Sequence, residues 1–279
     1  SSVIYGNFAK VRNHGVDLSI DYGKQISKDF TLQFKGTFTF ARNKVLEYDE
    51  APGLRPGMKT VGRRLNTFLG YVTNGLYENY TDVEESPTST LGNIAISPGD
   101  IKYVDQPDAN GNYDGRITSD DRVEIGDPWI PEIVYGFGPS MRWKNWDFSF
   151  FFQGQTNVSL IMENFEPFGE RSARGVLAWI ADDYWSPDYP NVNAKHPRLT
   201  RLTNNHNMQV STYWLRDASF LKLKNVELGY SYKKARFYIS GSNLLTISPF
   251  KHWDPEVGTG AGMQYPTQRI FNLGIQMSF

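Results

Sequence analysis

Apolar and polar residues alternate with a period of two along much of this chain, the pattern of strands that show a different solvent on each face. Val16, Leu18, Ile20 and Tyr22 alternate with Asp17, Ser19 and Asp21. Phe30, Leu32, Phe34, Phe38 and Phe40 alternate with Thr31, Gln33, Lys35, Thr37 and Thr39. Trp146, Phe148, Phe150 and Phe152 follow the same rule, as do Val226, Leu228, Tyr230 and Tyr232, and Phe271, Leu273, Ile275, Met277 and Phe279. The pattern predicts seven strands, near 12–22, 30–42, 133–143, 146–156, 213–231, 235–247 and 268–279.

A soluble sandwich with this periodicity would fill its inward face mostly with Val, Ile and Leu. Here Phe, Trp and Tyr dominate the apolar face, while Ser, Thr, Gln, Asn, Asp and Gly occupy the other. A transmembrane barrel has that arrangement, with lipid outside, water or a plug inside, and aromatic girdles at both interfaces. The links between strands alternate in length. Those at 23–29, 144–145 and around 233–234 are short, whereas 43–132, 157–212 and 248–267 are long. Short periplasmic turns and long extracellular loops follow this rule. The stretch Thr67–Tyr77 (TFLGYVTNGLY) also looks like a strand. One extra crossing would put the later short links on the wrong side, so it is expected in the extracellular region. The fold class expected is therefore all-β, an antiparallel transmembrane β-barrel with long extracellular loops. Seven strands cannot close a wide barrel, and open edges are forbidden in lipid. The chain is expected to be one part of the barrel, with the remaining strands supplied from elsewhere.

Composition narrows the function. Of 279 residues, 29 are Lys or Arg and 30 are Asp or Glu, a net charge of -1 that argues against nucleic-acid binding. The absence of cysteine excludes disulfides and thiolate metal sites. No run of about 18 apolar residues encodes a transmembrane helix. Aromatic residues make up 15% of a chain whose mean hydropathy is -0.49, which fits a wall with one greasy and one wet face. Ser1-Ser2-Val3-Ile4-Tyr5 lacks the basic start and apolar core of a signal peptide, so the numbering is expected to begin inside a larger precursor.

Two stretches carry candidate chemistry. Between Asn110 and Asp121, oxygen-bearing side chains stand at Asn110, Asn112, Asp114 and Asp121, with Gly115 and Ile117 at the sixth and eighth positions. That spacing is EF-hand-like, the glycine permitting a sharp turn while the oxygens converge on calcium. The alternative is a hydrophilic turn, favoured by Asn in place of Asp at the first position and by the shorter carboxylate at the twelfth. No other cofactor is called for. Arg174–Trp185 (RGVLAWIADDYW) has helical spacing. Its Trp179, Tyr184 and Trp185 are candidates for a substrate-stacking platform, against the plainer reading of a small core that holds the loop together. His14, His196, His206 and His252 are scattered without metal spacing and are expected at the surface. His14 and Ser19 face opposite ways on one predicted strand, so they offer no nucleophile–base pair, and no catalytic residue is assigned.

Several stretches resemble SusC/RagA-type TonB-dependent outer-membrane transporters. In order they are VRNHGVDL (11–18), GDIKYVD (99–105), DDRVEIG (120–126), YWSP (184–187) with PRL (197–199), LRDASFLKLKNV (215–226) and SGSNLLT (240–246). The terminal Phe279, preceded by apolar residues at every second position, resembles a barrel-assembly signal. The resemblance implies a 22-stranded barrel of which this chain supplies the C-terminal seven strands. It also implies a plug and TonB box outside this chain, contact with TonB through that missing part, and a SusD-like surface lipoprotein as partner. It places the protein in the outer membrane of a Gram-negative bacterium, importing oligosaccharides or, alternatively, peptides by binding and gating without covalent chemistry. The competing reading is a passive porin or surface-adhesion barrel without TonB coupling.

Overall fold

A computed structural model describes residues 6, 8–163, 168–169, 172–173 and 176–278. Phe279 and the start of the Arg174–Trp185 stretch lie outside the described residues. Seven strands form one antiparallel meander in chain order: β1 (Ala9–Ser27), β2 (Phe30–Tyr48), β3 (Ile133–Trp143), β4 (Trp146–Thr156), β5 (Phe220–Tyr232), β6 (Ala235–Ile247) and β7 (Ile270–Met277). The first two run for 19 residues each, longer than alternation predicts. Their ladder continues through the polar pairs Arg12↔Lys44, Asn13↔Asn43 and His14↔Arg42, where hydrophobic contrast has faded. The stretch 213–231 splits: Leu215–Asp217 pairs with Ser159–Ile161, and only Phe220–Tyr232 enters the wall. Thr67–Tyr77 supplies two short strands, Phe68–Gly70 and Thr73–Leu76, paired with Val123–Ile125 and Ile101–Tyr103 outside the wall.

Register puts each face of the wall in order. Phe30, Trp143, Trp146, Tyr230, Phe237 and Ile275 are successive cross-strand partners along one row. Phe40 with Ile133, Phe38 with Tyr135, and Ile239 with Leu273 continue the same apolar face. Leu273 is 83% exposed and Phe271 74%, values that would be costly in water across a whole sheet face but suit hydrocarbon. The opposite face carries rows such as Gln33–Ser140–Ser149–Glu227–Ser240–Asn272. Arg236 binds both Asp147 and Glu227 there, an ion cluster placed on the wet side of the wall. Phe151 breaks the polar row, for a local reason: a Cβ at Gly136 would meet its ring at 2.7 Å, so the ring fills the space the glycine leaves. Tyr238 covers Gly274 in the same way.

The turn end is narrow and basic. Lys144 and Lys233 sit at φ 51° and 53°, the left-handed corner that a two-residue hairpin turn requires. Their ammonium groups lie 5.6 Å from the Trp143 ring and 5.4 Å from the Tyr232 ring. Aromatic bodies tipped with lysine are what a membrane interface accommodates. Among the described residues no helix is long and apolar enough to cross a membrane.

Candidate functional site

At the end of the wall opposite the turns, the three long links fold together into a cap with its own core. Tyr71, Leu76, Ile101, Tyr103, Ile117 and Ile125 come from the link between β2 and β3. They cluster with Leu160, Ile161, Met162, Ile180 and Trp185 from the link between β4 and β5, and with Phe250 from the last link. Together they exclude water from residues separated by more than a hundred positions.

Buried polar knots fix the cap. Asp100 is fully buried and accepts hydrogen bonds from Arg198 Nε at 2.7 Å, Asn204 Nδ2 at 2.9 Å, Asn207 Nδ2 at 2.9 Å and the Ser97 main-chain N–H at 2.9 Å. That set compensates a carboxylate which would otherwise be prohibitively desolvated. His206, against expectation, is buried, and so is His196. His206 Nε2 lies 2.7 Å from the Ile101 carbonyl and so carries the proton, leaving Nδ1 to accept from Ser89 Oγ at 3.1 Å. Burial pushes His206 below its ordinary pKa, outweighing the raising effect of the Ile101 carbonyl. This serine–histidine pair is oriented by a main-chain carbonyl, and its imidazole is only 1% exposed, so it packs the cap instead of meeting a substrate.

Two ion networks join cap to wall. Glu132, at the foot of β3, receives Arg42 of β2 at 2.6 Å and Arg64 of the cap at 3.4 Å. Lys222 of β5 is fully buried, with Nζ 2.5 Å from both Asp254 and Glu256 and 4.9 Å from the Phe220 ring.

A polar cleft of about 480 Å³ opens on the cap, lined by Asn74, Glu78, Asn79, Asp82, Glu85, Lys102 and Asn193 among others. Asn79 caps the short helix Tyr80–Glu85, its Oδ1 accepting from the Asp82 N–H at 2.9 Å. Lys102 is held by Asp82 at 2.5 Å. Among the described residues Glu78 and Glu85 have no ion-pair partner, so the cleft is a set of acceptors and amides with surplus negative charge. Such a surface suits hydroxyl- or amine-bearing ligands and repels anionic ones.

The stacking candidates do not form an exposed platform. Trp185 is buried against Gly99, where a Cβ would meet the ring at 2.3 Å. Trp179 packs on His252 at 4.6 Å, and Tyr184 is half-buried with its backbone bridged to His196. The regular helix is a single turn, Ala178–Ala181. Among the described residues, no group of three or more His, Asp or Glu is arranged to hold a metal ion. The candidate calcium ligands separate into two sets. The Asn110 and Asn112 main-chain N–H groups both turn onto Asp108 Oδ1, at 2.8 and 2.9 Å. Asp114 and Asp121 both turn onto Arg55, at 2.5 and 2.6 Å. Arg55 is remote in sequence and carries no motif, so spacing alone had no way to reveal it.

No family model matches the chain. The TonB-dependent receptor P3 of Formosa agariphila is 27% identical over 98% of the chain, and the TonB-dependent receptor SusC of Bacteroides thetaiotaomicron is 26% identical over 98%. The chain spans 29% and 27% of the lengths of these relatives. Among solved structures, that of the RagAB peptide transporter superposes with a TM-score of 0.71 at 24% identity, covering 97% of this chain and 30% of that one. The fold is shared with that structure.

Proposed function

We propose that this chain, a SusC/RagA-type segment of a TonB-dependent transporter, forms one sector of the wall and outer cap of a nutrient importer in a Gram-negative outer membrane. One observation carries the reading: a seven-stranded wall with a lipid-type face supports, at one end only, a cap assembled from all three long links. A passive pore needs the wall and has no use for so large an ordered cap. The open edges of β1 and β7 carry unpaired backbone groups that hydrocarbon does not tolerate, so further strands pair with both. Energy reaches the cargo through a plug and TonB contact outside this segment, and a SusD-like surface lipoprotein seats on the cap. Cargo is held by hydrogen bonding in clefts of the kind lined by Glu78, Glu85 and Asn193, without covalent chemistry. Oligosaccharides fit those acceptors, and peptides are the second cargo class, as in the name of the RagAB structure.

Uptake by the native host tests this. Deleting the gene should abolish accumulation of a fluorescent oligosaccharide pool, and an uncoupler should do the same in the intact strain. Accumulation that survives the uncoupler would favour the passive pore. Loss confined to labelled peptides would move the cargo to that class.

A further inference from the structure

On β1 and β2 the apolar face of the wall ends in cations. Val16 pairs with Phe40 and Leu18 with Phe38, and the next two rows toward the cap are His14 with Arg42 and Arg12 with Lys44. The ladder runs without a bulge from Val11 to Gln25, so these four side chains point the same way as the apolar ones below them. Ring contacts agree: Phe40 lies 6.3 Å from the His14 ring and 5.7 Å from the Arg42 guanidinium. Arg42 is answered by Glu132 at 2.6 Å. The Arg12 and Lys44 side chains are exposed and, among the described residues, have no ion-pair or hydrogen-bond partner. Like charges set directly opposite each other across a ladder repel, so the wall by itself leaves this pair as a cost.

Their height on the wall says what meets them. Lys24, on the same face, marks the turn end of the apolar rows. From Lys24 to His14 the strand climbs about 34 Å at about 3.4 Å per residue, and a tilt of about 40° reduces this to about 26 Å, close to the apolar band of about 25 Å in an outer-membrane barrel. Arg12 and Lys44 stand one row above that band, where lipid headgroups begin. The upper outward positions of β4, β5 and β6 are instead Gly154, Leu221 and Ile247, so the cations mark one place on the rim and not a continuous ring. We propose that Arg12 and Lys44, flanked by His14 and Arg42, hold the phosphate of an outer-leaflet lipid headgroup whose acyl chains lie along the apolar rows beneath. The inference rests on the reading of this face as lipid-exposed. A guanidinium offers phosphate two parallel N–H donors, and the neighbouring ammonium adds a point charge, so one anion relieves the repulsion between them.

The test compares the intact transporter with its Arg12→Gln, Lys44→Gln double variant, in maltoside micelles with and without lipid A and in phosphatidylcholine vesicles. Lipid A should raise the melting temperature of the native protein, and dephosphorylated lipid A should not. In the variant that rise should vanish, and lipid A carried through purification, read by native mass spectrometry, should fall about tenfold or more. Without lipid A the variant should be at least as stable as the native protein, because the repulsion has gone. A variant less stable in plain maltoside would overturn the inference, since the cations would then be held by the rest of the barrel. Equal protection of the native protein by millimolar inorganic phosphate would overturn it in favour of a free-anion site. A native protein that inserts into the vesicles but does not respond to lipid A overturns this inference alone, whereas failure to insert at all would sink the lipid-facing wall along with it.

Discussion

Lys222 lies on the wet face of β5 yet is sealed from water, because the link after β6 folds back over it. Its ammonium meets Asp254 and Glu256 at 2.5 Å each, and Lys224 shares Glu256 at 2.6 Å. Replacing Lys222 with Met would leave Asp254 without its cation while Glu256 keeps Lys224. The expected loss is therefore near the lower end of the range for breaking a buried pair, about 3 kcal/mol, measurable by urea denaturation of the purified barrel. The same pairs predict a pH response. Burial, the largest single effect, would raise both carboxyls, but the hydrogen bonds and charge of Lys222, together with the Glu256 N–H on Asp254 and Lys224 on Glu256, outweigh it and hold both below their ordinary values. Groups depressed in the folded state contribute stability that is present above the unfolded values of about 4 and is lost as pH falls through the folded ones. Protease nicking of 248–267 should rise as pH drops below about 4. In Lys222→Met that rise should shrink without vanishing, since Asp254 loses its cation while Glu256 still titrates against Lys224.

At the scale of elements, alternation makes a direct energetic claim about β7. Leu273 pairs with Ile239 on the apolar face, and Asn272 pairs with Ser240 on the polar face. An arginine at Leu273, if it lies near the bilayer midplane, should cost about 2–4 kcal/mol. An arginine at Asn272 should be tolerated better, because that position lies on the polar face, where its cross-strand partner is Ser240. Gln276 would be a poorer comparison, because it already accepts a hydrogen bond from Arg236 and a new cation there would meet a like charge. Equal folding of Leu273→Arg and Asn272→Arg in lipid vesicles would show that the face assignment is reversed. The wall was legible in the sequence because each strand carries its own period-two record, as in Trp146–Phe152. Strand ends were less so: β1 and β2 continue through charged pairs that a hydrophobicity pattern does not register. The cap was legible mainly as length, and otherwise only in the strand-like stretch Thr67–Tyr77. Its strands are two to four residues long, too short for periodicity, and its contacts join residues such as Asp100 and Arg198 that only tertiary structure brings together. Arg55 and Lys222 escaped for the same reason, since their partners lie 32 to 66 positions away.

For the whole molecule, sidedness and partnership follow from one geometry, a basic turn end and a capped end. Tyr113 stands on the cap, 67% exposed in a chain without cysteine, so Tyr113→Cys gives a single reporter. An impermeant maleimide should label it in intact cells; labelling only after the outer membrane is broken would turn the wall upside down. The same cap is the surface proposed to receive a lipoprotein. Removing 157–212 would be a poor test, because Leu160, Ile161 and Trp185 belong to the core that holds the cap together. Substitutions outside that core separate docking from folding. Tyr189 is 78% exposed and Leu202 50%, both on the link between β4 and β5 and neither part of the core. Exposed tyrosines and apolar side chains of this kind supply the few contacts that dominate an interface, each worth about 1–2 kcal/mol or more when removed. Tyr189→Glu with Leu202→Glu should therefore leave barrel yield and melting temperature unchanged while lowering capture of the lipoprotein in a pull-down by about tenfold or more. Undiminished capture would place the docking surface on another part of the rim, and capture lost together with cap stability would show that these side chains pack the cap instead of a partner.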